Sequence, residues 1–472
     1  MHKHLLPLFI LLIITLACAS LRVEVQIGIS AVATNTLPLT VSVSFTPTSS
    51  ETHSMPTRTT SRTPTPFGTI STPMFTSSTP APFFPNGQAF VVDETRMFTK
   101  TTGWGLAQPG LLLHTRDGGR TWRDVRPMSG VYVPSKSVFF LNSETAWFGM
   151  VESTSIIFWH TRDGGHTWKR ETTLDVNSLD MSLCNSFIFD SVTITDIFFL
   201  DIANGWLIVT ASDHAHSAFD VSLFFTTKTG GLTWELTYLA SQDCSTSGGP
   251  DGMKQVVFWN LIEGWGAFAS RRYDYYPNYE LPYIGGWEIY HTHNGGESWE
   301  SVSLPEPPGL LEEIARQQAH HVRCNAAQLY TFSYQVFGIR LVCLIPPSTS
   351  MAYYYITLDD GINWKVWQTE TNGLAYTHLL DETLYYNPIS GQLKGWRFLP
   401  QTEGGILQQT TDYGRTWTNL REEKWLWMRL DFINELIGWA TAPAKDGSSG
   451  LYFTSDGGHT WEKIETMLIS QP

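Results

Sequence analysis

Seven short segments of this 472-residue chain place acidic, hydroxyl and cationic side chains at a fixed spacing, as an active-site box or a metal site would. They follow the pattern T-x-[DNT]-x-G-x-[TSN]-W, called the octet below. The copies are TRDGGRTW at 115, TRDGGHTW at 161, TKTGGLTW at 227, THNGGESW at 292, TLDDGINW at 357, TTDYGRTW at 410 and TSDGGHTW at 454. An aspartate beside arginine or histidine could act as a general acid or a cation ligand. A turn that a repeating fold uses many times would contain the same residues, because glycine allows positive φ and aspartate accepts hydrogen bonds from turn N–H groups.

The third position of the octet distinguishes these two interpretations. It is occupied by Asp117, Asp163, Thr229, Asn294, Asp359, Asp412 and Asp456. Thr229 and Asn294 keep an oxygen acceptor but cannot ionise, whereas a hard-cation site prefers several carboxylates. We therefore interpret the octet as structural and expect from it no catalytic residue, metal or cofactor. Its eighth position is always a tryptophan suited to burial between sheets, namely Trp122, Trp168, Trp234, Trp299, Trp364, Trp417 and Trp461.

A second motif, an apolar run that ends in Gly-Trp, precedes most octets, and the two motifs contain 13 of the 19 tryptophans. In the third repeat we predict strands at 197–199, 205–209, 223–226 and 234–238, because apolar and β-branched residues alternate between turn residues. The octets are 44 to 66 residues apart. Four strands per repeat, seven times, predict an all-β protein: a seven-bladed β-propeller of four-stranded antiparallel blades, with the octet in each C–D hairpin.

Long insertions mark one face of this predicted propeller. They fall in B–C connections (210–222 and 267–288) and in D–A connections (169–195, 235–255 and 300–329), all opposite the octets. Residues 312–318 within the last of these favour a short helix. Loops on a rigid scaffold commonly carry function, so this insertion face is where we expect a binding site.

The insertion at 270–290 is the richest in aromatic side chains and hydrogen-bond donors. The candidate ligand-binding residues are Arg271, Arg272, Tyr273, Tyr275, Tyr276, Tyr279, Tyr283 and Trp287. Tyrosine, tryptophan and arginine dominate interface hot spots, and this mixture suits a peptide or a sugar ring. Packing of the same aromatics on their own blade is the alternative.

Histidines and cysteines give weaker signals. Asp213, His214 and His216 cluster in one insertion, and His320 precedes His321 in another, but no regular spacing predicts a metal site. Four cysteines follow the N-terminal region and allow three disulfide connectivities. The predicted strands, with Cys324 just before strand A of repeat five and Cys343 ending its strand B, favour Cys324–Cys343 and, secondly, Cys184–Cys244.

The N-terminal region differs in composition from the repeats. Residues 1–18 contain a 13-residue apolar run from Leu5, too short to span a bilayer, and they resemble a bacterial lipoprotein signal with lipidation at Cys18. Simple signal cleavage and secretion is the alternative. Residues 19–86 are largely Ser, Thr and Pro and predict a disordered stalk, followed by the propeller at 87–472. We expect a bacterial cell-surface or periplasmic protein that is anchored to the membrane by lipid.

The charge of the repeat region argues against one class of partner. Without the tail it has 26 basic and 42 acidic residues, a net charge of about −16. Phosphate backbones require a basic surface, so we expect no nucleic acid partner. We expect a monomer that binds a protein or a glycan.

The octets resemble the Asp-box, or bacterial neuraminidase repeat, of β-propellers. Combined with the Gly-Trp motif they look most like the photosystem II assembly/stability factor-like family, and more distantly like sialidase and sortilin-type propellers. The resemblance covers residues from about 88 to the end. It implies a non-catalytic propeller that binds a partner and assists assembly of a membrane complex.

A glycoside hydrolase or sialidase-like enzyme acting on cell-surface or extracellular glycans is the competing function. Such an enzyme needs two carboxylates about 5–10 Å apart, which the many acidic residues do not exclude. The Arg-Ile-Pro motif of sialidases does not occur here, and the nearest string is GIRL, with Arg340 in repeat five. The sequence therefore favours binding over catalysis.

Overall fold

A computed structural model provides the structure of the chain. It describes residues 90–179, 189–213, 219–240, 252–269, 283–285, 287–319, 321–333, 336–345, 349–372, 382–387, 392–401, 404–443 and 449–469. Within these ranges no helix is both long and apolar enough to cross a membrane.

Among the described residues, thirty β-strands make up seven sheets, each with four antiparallel strands that form one blade of the propeller. Blade 1 contains β1 (Glu94–Met97), β2 (Gly103–Ala107), β3 (Leu111–Thr115) and β4 (Thr121–Asp124). Blade 2 contains β5 (Val138–Phe140), β6 (Ala146–Glu152), β7 (Ser155–Thr161) and β8 (Lys169–Asp175). Blade 3 contains β9 (Ser191–Phe199), β10 (Gly205–Asp213), β11 (Phe219–Thr227) and β12 (Glu235–Ala240).

The second half of the ring has two features beyond its four blades. Blade 4 contains β13 (Met253–Phe258), β14 (Gly264–Ala269), β16 (Trp287–Thr292) and β17 (Glu300–Ser301). Strand β15 (Tyr283–Gly285) comes between β14 and β16 in the sequence. Helix α1 (Leu310–Gln317) leads into blade 5, which contains β18 (His321–Ser333), β19 (Val336–Ile345), β20 (Thr349–Thr357) and β21 (Lys365–Asn372). Blade 6 contains β22 (Glu382–Asn387), β23 (Gln392–Gln401), β24 (Gly404–Thr410) and β25 (Thr418–Glu423). Blade 7 contains β26 (Arg429–Phe432), β27 (Gly438–Pro443), β28 (Ser449–Thr454) and β29 (Glu462–Ile464), and β30 (Met467–Ile469) follows it. Two single 3-10 turns lie at Ser135–Ser137 and Val176–Ser178.

The tryptophan of the Gly-Trp motif joins six of the seven blades to the next, and blade 5 has no tryptophan at this position. Trp147 stacks on Phe199 of the following blade with ring centroids 3.8 Å apart, and its Nε1 donates to the carbonyl of Gly230 at 2.8 Å. Trp206 stacks in the same way on Phe258 and donates to Gly295. Burial of such a ring contributes about 2–3 kcal/mol of stability. These tryptophans therefore stabilise the contacts between neighbouring blades.

The ring closes between blade 7 and blade 1. Strand β30 leaves blade 7 and pairs in parallel with β4, the outer strand of blade 1. Trp439 Nε1 donates to Gly118 O across the same junction at 3.0 Å, and the Asp431 carboxylate accepts from Met97 N at 2.5 Å. Because no covalent bond joins the two blades, these contacts hold the ring shut.

The predicted seven-bladed, all-β propeller is confirmed, but strand ends differ from the predictions. The predicted insertion 210–222 is wrong in large part, because β10 and β11 stay paired from Thr210–Ser222 to Asp213–Phe219. Helix α1 begins at Leu310, two residues before the predicted start. Cys324 lies inside β18 rather than before it, and β19 continues two residues beyond Cys343. The strand errors have one cause: backbone pairing with a neighbouring strand continues beyond the residues whose pattern predicts a strand.

Candidate functional site

The blades differ in height on the insertion face. In every blade the threonine of the octet pairs beside the Gly-Trp motif, as in Thr115–Gly103 and Thr227–Gly205. The octet ends of the blades are therefore aligned, and any extra strand length projects from the opposite face. Strand β2 has 5 residues while the equivalent β10 has 9, which raises blade 3 above blade 1 by about 13 Å. Blade 5, with a 10-residue β19, is similarly tall.

Strand β15 carries the tyrosine-rich insertion from blade 4 onto blade 5. Its residues Tyr283–Gly285 pair in parallel with His321–Arg323, the first residues of β18. Strand β18 is the innermost strand of blade 5, because the first strands of neighbouring blades contact one another around the centre of the ring. The insertion therefore crosses to the inner edge of the neighbouring blade, at the mouth of the central channel on the insertion face. This backbone pairing was not among our predictions, which considered packing on blade 4 itself.

Helix α1 covers the top of blades 4 and 5 beside this crossing. Leu310 and Ile314 are buried in a cluster that also contains Tyr353 and Tyr355. Tyr355 Oη donates to Pro305 O at 3.1 Å, which fixes the loop that precedes the helix. On the solvent side Arg316 pairs with Glu313 and lowers the pKa of that carboxyl to about 2. The predicted cover over this face is thus a short amphipathic helix with a firmly packed apolar side.

Exposed aromatic side chains also lie on the insertion face. Among the described residues, the strongly exposed aromatics are Tyr132, at 56%, and Trp427, at 42%. Both lie in D–A connections, Tyr132 between β4 and β5 and Trp427 between β25 and β26. Tyrosine and tryptophan are common at interface hot spots, so both rings are available to a partner on this face.

The predicted ligand-binding residues lie mostly outside the described residues. Arg271, Arg272, Tyr273, Tyr275, Tyr276 and Tyr279 fall in the undescribed range 270–282. Tyr283 and Trp287 begin β15 and β16, and only their backbone is described. The structure thus shows where the backbone that follows the insertion joins β15 and β16.

Each octet forms a closed turn that uses its own polar groups. In the first copy, Asp117 accepts from Thr121 N at 2.8 Å, from Thr121 Oγ1 at 2.6 Å and from Thr115 Oγ1 at 3.0 Å. Thr229 Oγ1 accepts from Thr233 N at 2.9 Å, and Asn294 Oδ1 accepts from Ser298 N at 3.0 Å. One side-chain oxygen at this position therefore suffices for the turn, whether or not it belongs to a carboxylate.

Hydrogen bonds set the ionisation of the octet aspartates. Burial alone would raise the pKa of Asp456, but hydrogen bonds from Thr460 and Thr454 outweigh it and lower the pKa to about 2. The pKa values of Asp117, Asp163 and Asp412 are lowered by the same balance. A carboxylate held in its ionised form this way is a poor general acid at neutral pH.

Burial raises the pKa of four described carboxyl groups, and two of them, Asp196 and Asp431, link neighbouring inner strands. Burial raises the pKa of Asp196 and of Asp431 to about 6. Asp196 Oδ2 accepts from Val256 N of the next blade at 3.1 Å, as Asp431 does from Met97 N. Each therefore satisfies an edge N–H of the adjoining inner strand, which accounts for its burial without a catalytic role.

The cysteines and the histidine-containing insertions are only partly described. The Cys324 and Cys343 sulfurs lie 1.99 Å apart, on directly paired positions of β18 and β19. Cys18, Cys184 and Cys244 lie outside the described residues, as do His214, His216 and His320. Asp213 and His321 are strand residues whose backbone alone is described.

A cluster on the octet face escaped the sequence analysis. Glu263 Oε2 lies 2.8 Å from His293 Nδ1 and 3.3 Å from His291 Nε2. Pairing of Gly264 with Thr292 brings the three side chains together. The available signal was His-x-His at a strand end, a spacing that puts both rings on one face, but the glutamate is 28 residues away in the chain.

Similarity to known proteins is found among solved structures. No protein-family model matches the sequence, and no curated protein matches it. Similar solved structures include YCF48 bound to D1 peptide, 17% identical over 80% of this chain and 99% of that chain, with a TM-score of 0.40. YCF48 from Cyanidioschyzon merolae is 14% identical over 71% and 89% of the two chains, with a TM-score of 0.38. The NanB sialidase from Streptococcus pneumoniae is 12% identical over 72% and 69%, with a TM-score of 0.32. This chain is similar to these proteins as a β-propeller, at identities that assign it no ligand or reaction.

Proposed function

We propose that this chain is an exported, lipid-anchored, non-catalytic propeller that binds a protein or a glycan through its insertion face. The observation that carries the proposal is the pairing of β15 with β18, which attaches the C-terminal end of the tyrosine-rich insertion to the inner strand of the neighbouring blade. Pairing at β15 orders this end of the insertion before a partner binds, and a segment already ordered loses less entropy on binding.

Three further features support this surface. Blades 3 and 5 project further from this face than blade 1 does. The rings of Tyr132 and Trp427 are exposed on it, and the packed helix α1 lies beside the insertion. Anchoring at Cys18, with residues 19–86 as a stalk, would hold this face away from the membrane. Assistance in assembling a membrane complex is the form of the proposal that the family resemblance implies.

Site-specific photo-crosslinking on the full chain tests the binding face. A photoreactive residue at Tyr276 should capture a partner from host membranes, and Arg271→Ala/Arg272→Ala should reduce that yield at least about tenfold, since arginines at interface centres are hot spots. The matched control is Ile362, which is 80% exposed in an octet turn and should capture nothing specific. Equal capture from both faces, or an unchanged yield in the arginine variant, would contradict the proposal.

A glycan array and a fluorogenic sialoside and glycoside panel complete the test. Binding to a defined glycan that the arginine variant loses would identify a glycan as the partner. Turnover of any substrate that a single Asp or Glu substitution abolishes would overturn the non-catalytic part of the proposal in favour of a glycoside hydrolase.

A further inference from the structure

The histidine that precedes the octet threonine recurs in three blades and offers an internal comparison. His114, His160 and His291 occupy this position, and each packs against the Gly-Trp tryptophan of its own blade. His114 Nε2 has a hydrogen-bond partner in Ser143 O at 2.8 Å, and His160 Nε2 accepts from Arg162 at 3.4 Å. Packing against the tryptophan is therefore the shared structural role of this histidine.

His291 differs from His114 and His160 in the hydrogen bonding of its Nε2 atom. The residue is 7% exposed, and its Nε2 is buried without a hydrogen-bond partner among the described residues. Glu263 Oε2 lies 3.3 Å from this nitrogen but is not aligned for a hydrogen bond. This 3.3 Å separation matches two ligands of one ion, because zinc ligands at about 2.05 Å in tetrahedral positions are about 3.3 Å apart.

The remaining members of the cluster are specific to this junction. His293 takes the second octet position, where no other copy has histidine, and its Nδ1 lies within 4.8 Å of both other ligand atoms. Asp360, from the octet of blade 5, places Oδ1 3.9 Å from His291 Nε2. It is also the one carboxylate at the fourth octet position, where five copies have glycine, and it adopts a φ of +57° there. An aspartate at a position that favours glycine adds negative charge beside the cluster at some backbone cost.

We propose that Glu263, His291 and His293 form a binding site for a divalent transition-metal ion such as Zn²⁺, with the carboxylate of Asp360 strengthening it from blade 5. Imidazole and carboxylate together suit zinc and its neighbours, whereas Ca²⁺ and Mg²⁺ prefer oxygen ligands alone. The bound ion would reinforce the contact between blades 4 and 5. The site lies on the octet face, so it is independent of the binding function proposed for the opposite face.

Zinc stoichiometry of the EDTA-treated full chain, measured by dialysis and elemental analysis, tests the site. Glu263→Gln/His293→Asn should bind one zinc ion per chain fewer than the wild type, because it removes two of three ligands from partly exposed positions. The matched control, Glu144→Gln/His166→Asn, changes one glutamate and one histidine on the same face and should bind as much zinc as the wild type. Equal stoichiometry in all three proteins would overturn the proposal.

Two further measurements separate this site from other histidines in the chain. Co²⁺ should give visible d–d absorption bands in the wild type and the control that are absent from the Glu263→Gln/His293→Asn variant. Asp360→Asn should keep the stoichiometry and weaken zinc affinity about tenfold, as expected for a charge beside the ligands. Bands of equal intensity in the ligand variant would contradict the assignment. Circular dichroism without metal verifies that each variant is folded.

Discussion

The third residue of each octet acts through one oxygen atom. Asp117, Thr229 and Asn294 all accept the N–H of the residue four positions later, at 2.8–3.0 Å. An ionised carboxylate forms additional bonds to hydroxyl groups but is not required for the turn. Substitutions at this position can therefore separate the contribution of the acceptor from that of the charge.

We expect Asp117→Ala to lower the free energy of unfolding by about 1 kcal/mol, because Thr121 N loses its acceptor. Asp117→Asn keeps an acceptor and should cost less than half as much. Asn294→Ala is the matched control: it should cost about as much as Asp117→Ala if the acceptor dominates, and almost nothing if the charge dominates. Chemical denaturation of the three variants measures the difference.

At the scale of elements, the pair β18–β19 links the two parts of the insertion face. Strand β18 binds β15 on its inner edge, and its partner β19 contacts α1. Cys324 and Cys343 face each other across this pair and are 19 residues apart in the sequence. A covalent link here would hold the base of the candidate binding surface.

We predict that non-reduced peptide mapping of the exported protein finds Cys324 linked to Cys343. Cys324→Ala/Cys343→Ala should then lower the free energy of unfolding by about 3 kcal/mol, the chain-entropy value for a loop of this length. Denaturation of the wild type under reducing conditions should show a comparable loss. Free thiols at both positions, or a link from Cys324 to Cys184, would contradict the prediction.

At the scale of the whole molecule, stability depends on closing the ring. Asp431 lies at the junction of blades 7 and 1, where Arg96 partly opposes the effect of burial on its pKa. With the pKa raised to about 6, the carboxyl binds its proton more tightly in the folded than in the unfolded protein. Its contribution to stability is therefore complete below the unfolded pKa of about 3.9 and is lost as the pH rises through about 6.

We expect Asp431→Asn to be more stable than the wild type at pH 8, by roughly 2–3 kcal/mol at most, and nearly equal to it at pH 4. Asparagine keeps an oxygen for Met97 N and removes the buried charge. Asp201→Asn is a control of opposite sign, since hydrogen bonds from Asn204 and Ala203 outweigh burial and lower the pKa of Asp201. Chemical denaturation at pH 4 and pH 8 measures the free energy of unfolding of each variant. If the difference between Asp431→Asn and the wild type does not change with pH, the raised pKa of Asp431 is refuted.

Local patterns of the sequence determined the architecture of this protein. The octet encodes a turn that every blade repeats and the Gly-Trp motif a packing contact that six blades repeat, so seven octets predict seven blades without knowledge of any long-range contact. The same reasoning identified which face carries the insertions. It failed at the ends of β10, β11 and β18, because the sequence does not show where a ladder stops when both partners remain available.

Only the tertiary structure decided which distant residues meet. It joined β15 to β18 across two blades, closed the ring through β30 and Asp431, and gathered Glu263, His291 and His293 at the octet face. These contacts depend on strand register and on the placement of neighbouring blades around the ring. A local sequence pattern predicts neither the register nor the placement of the blades, since the free energy of such contacts comes from the packing of the whole ring.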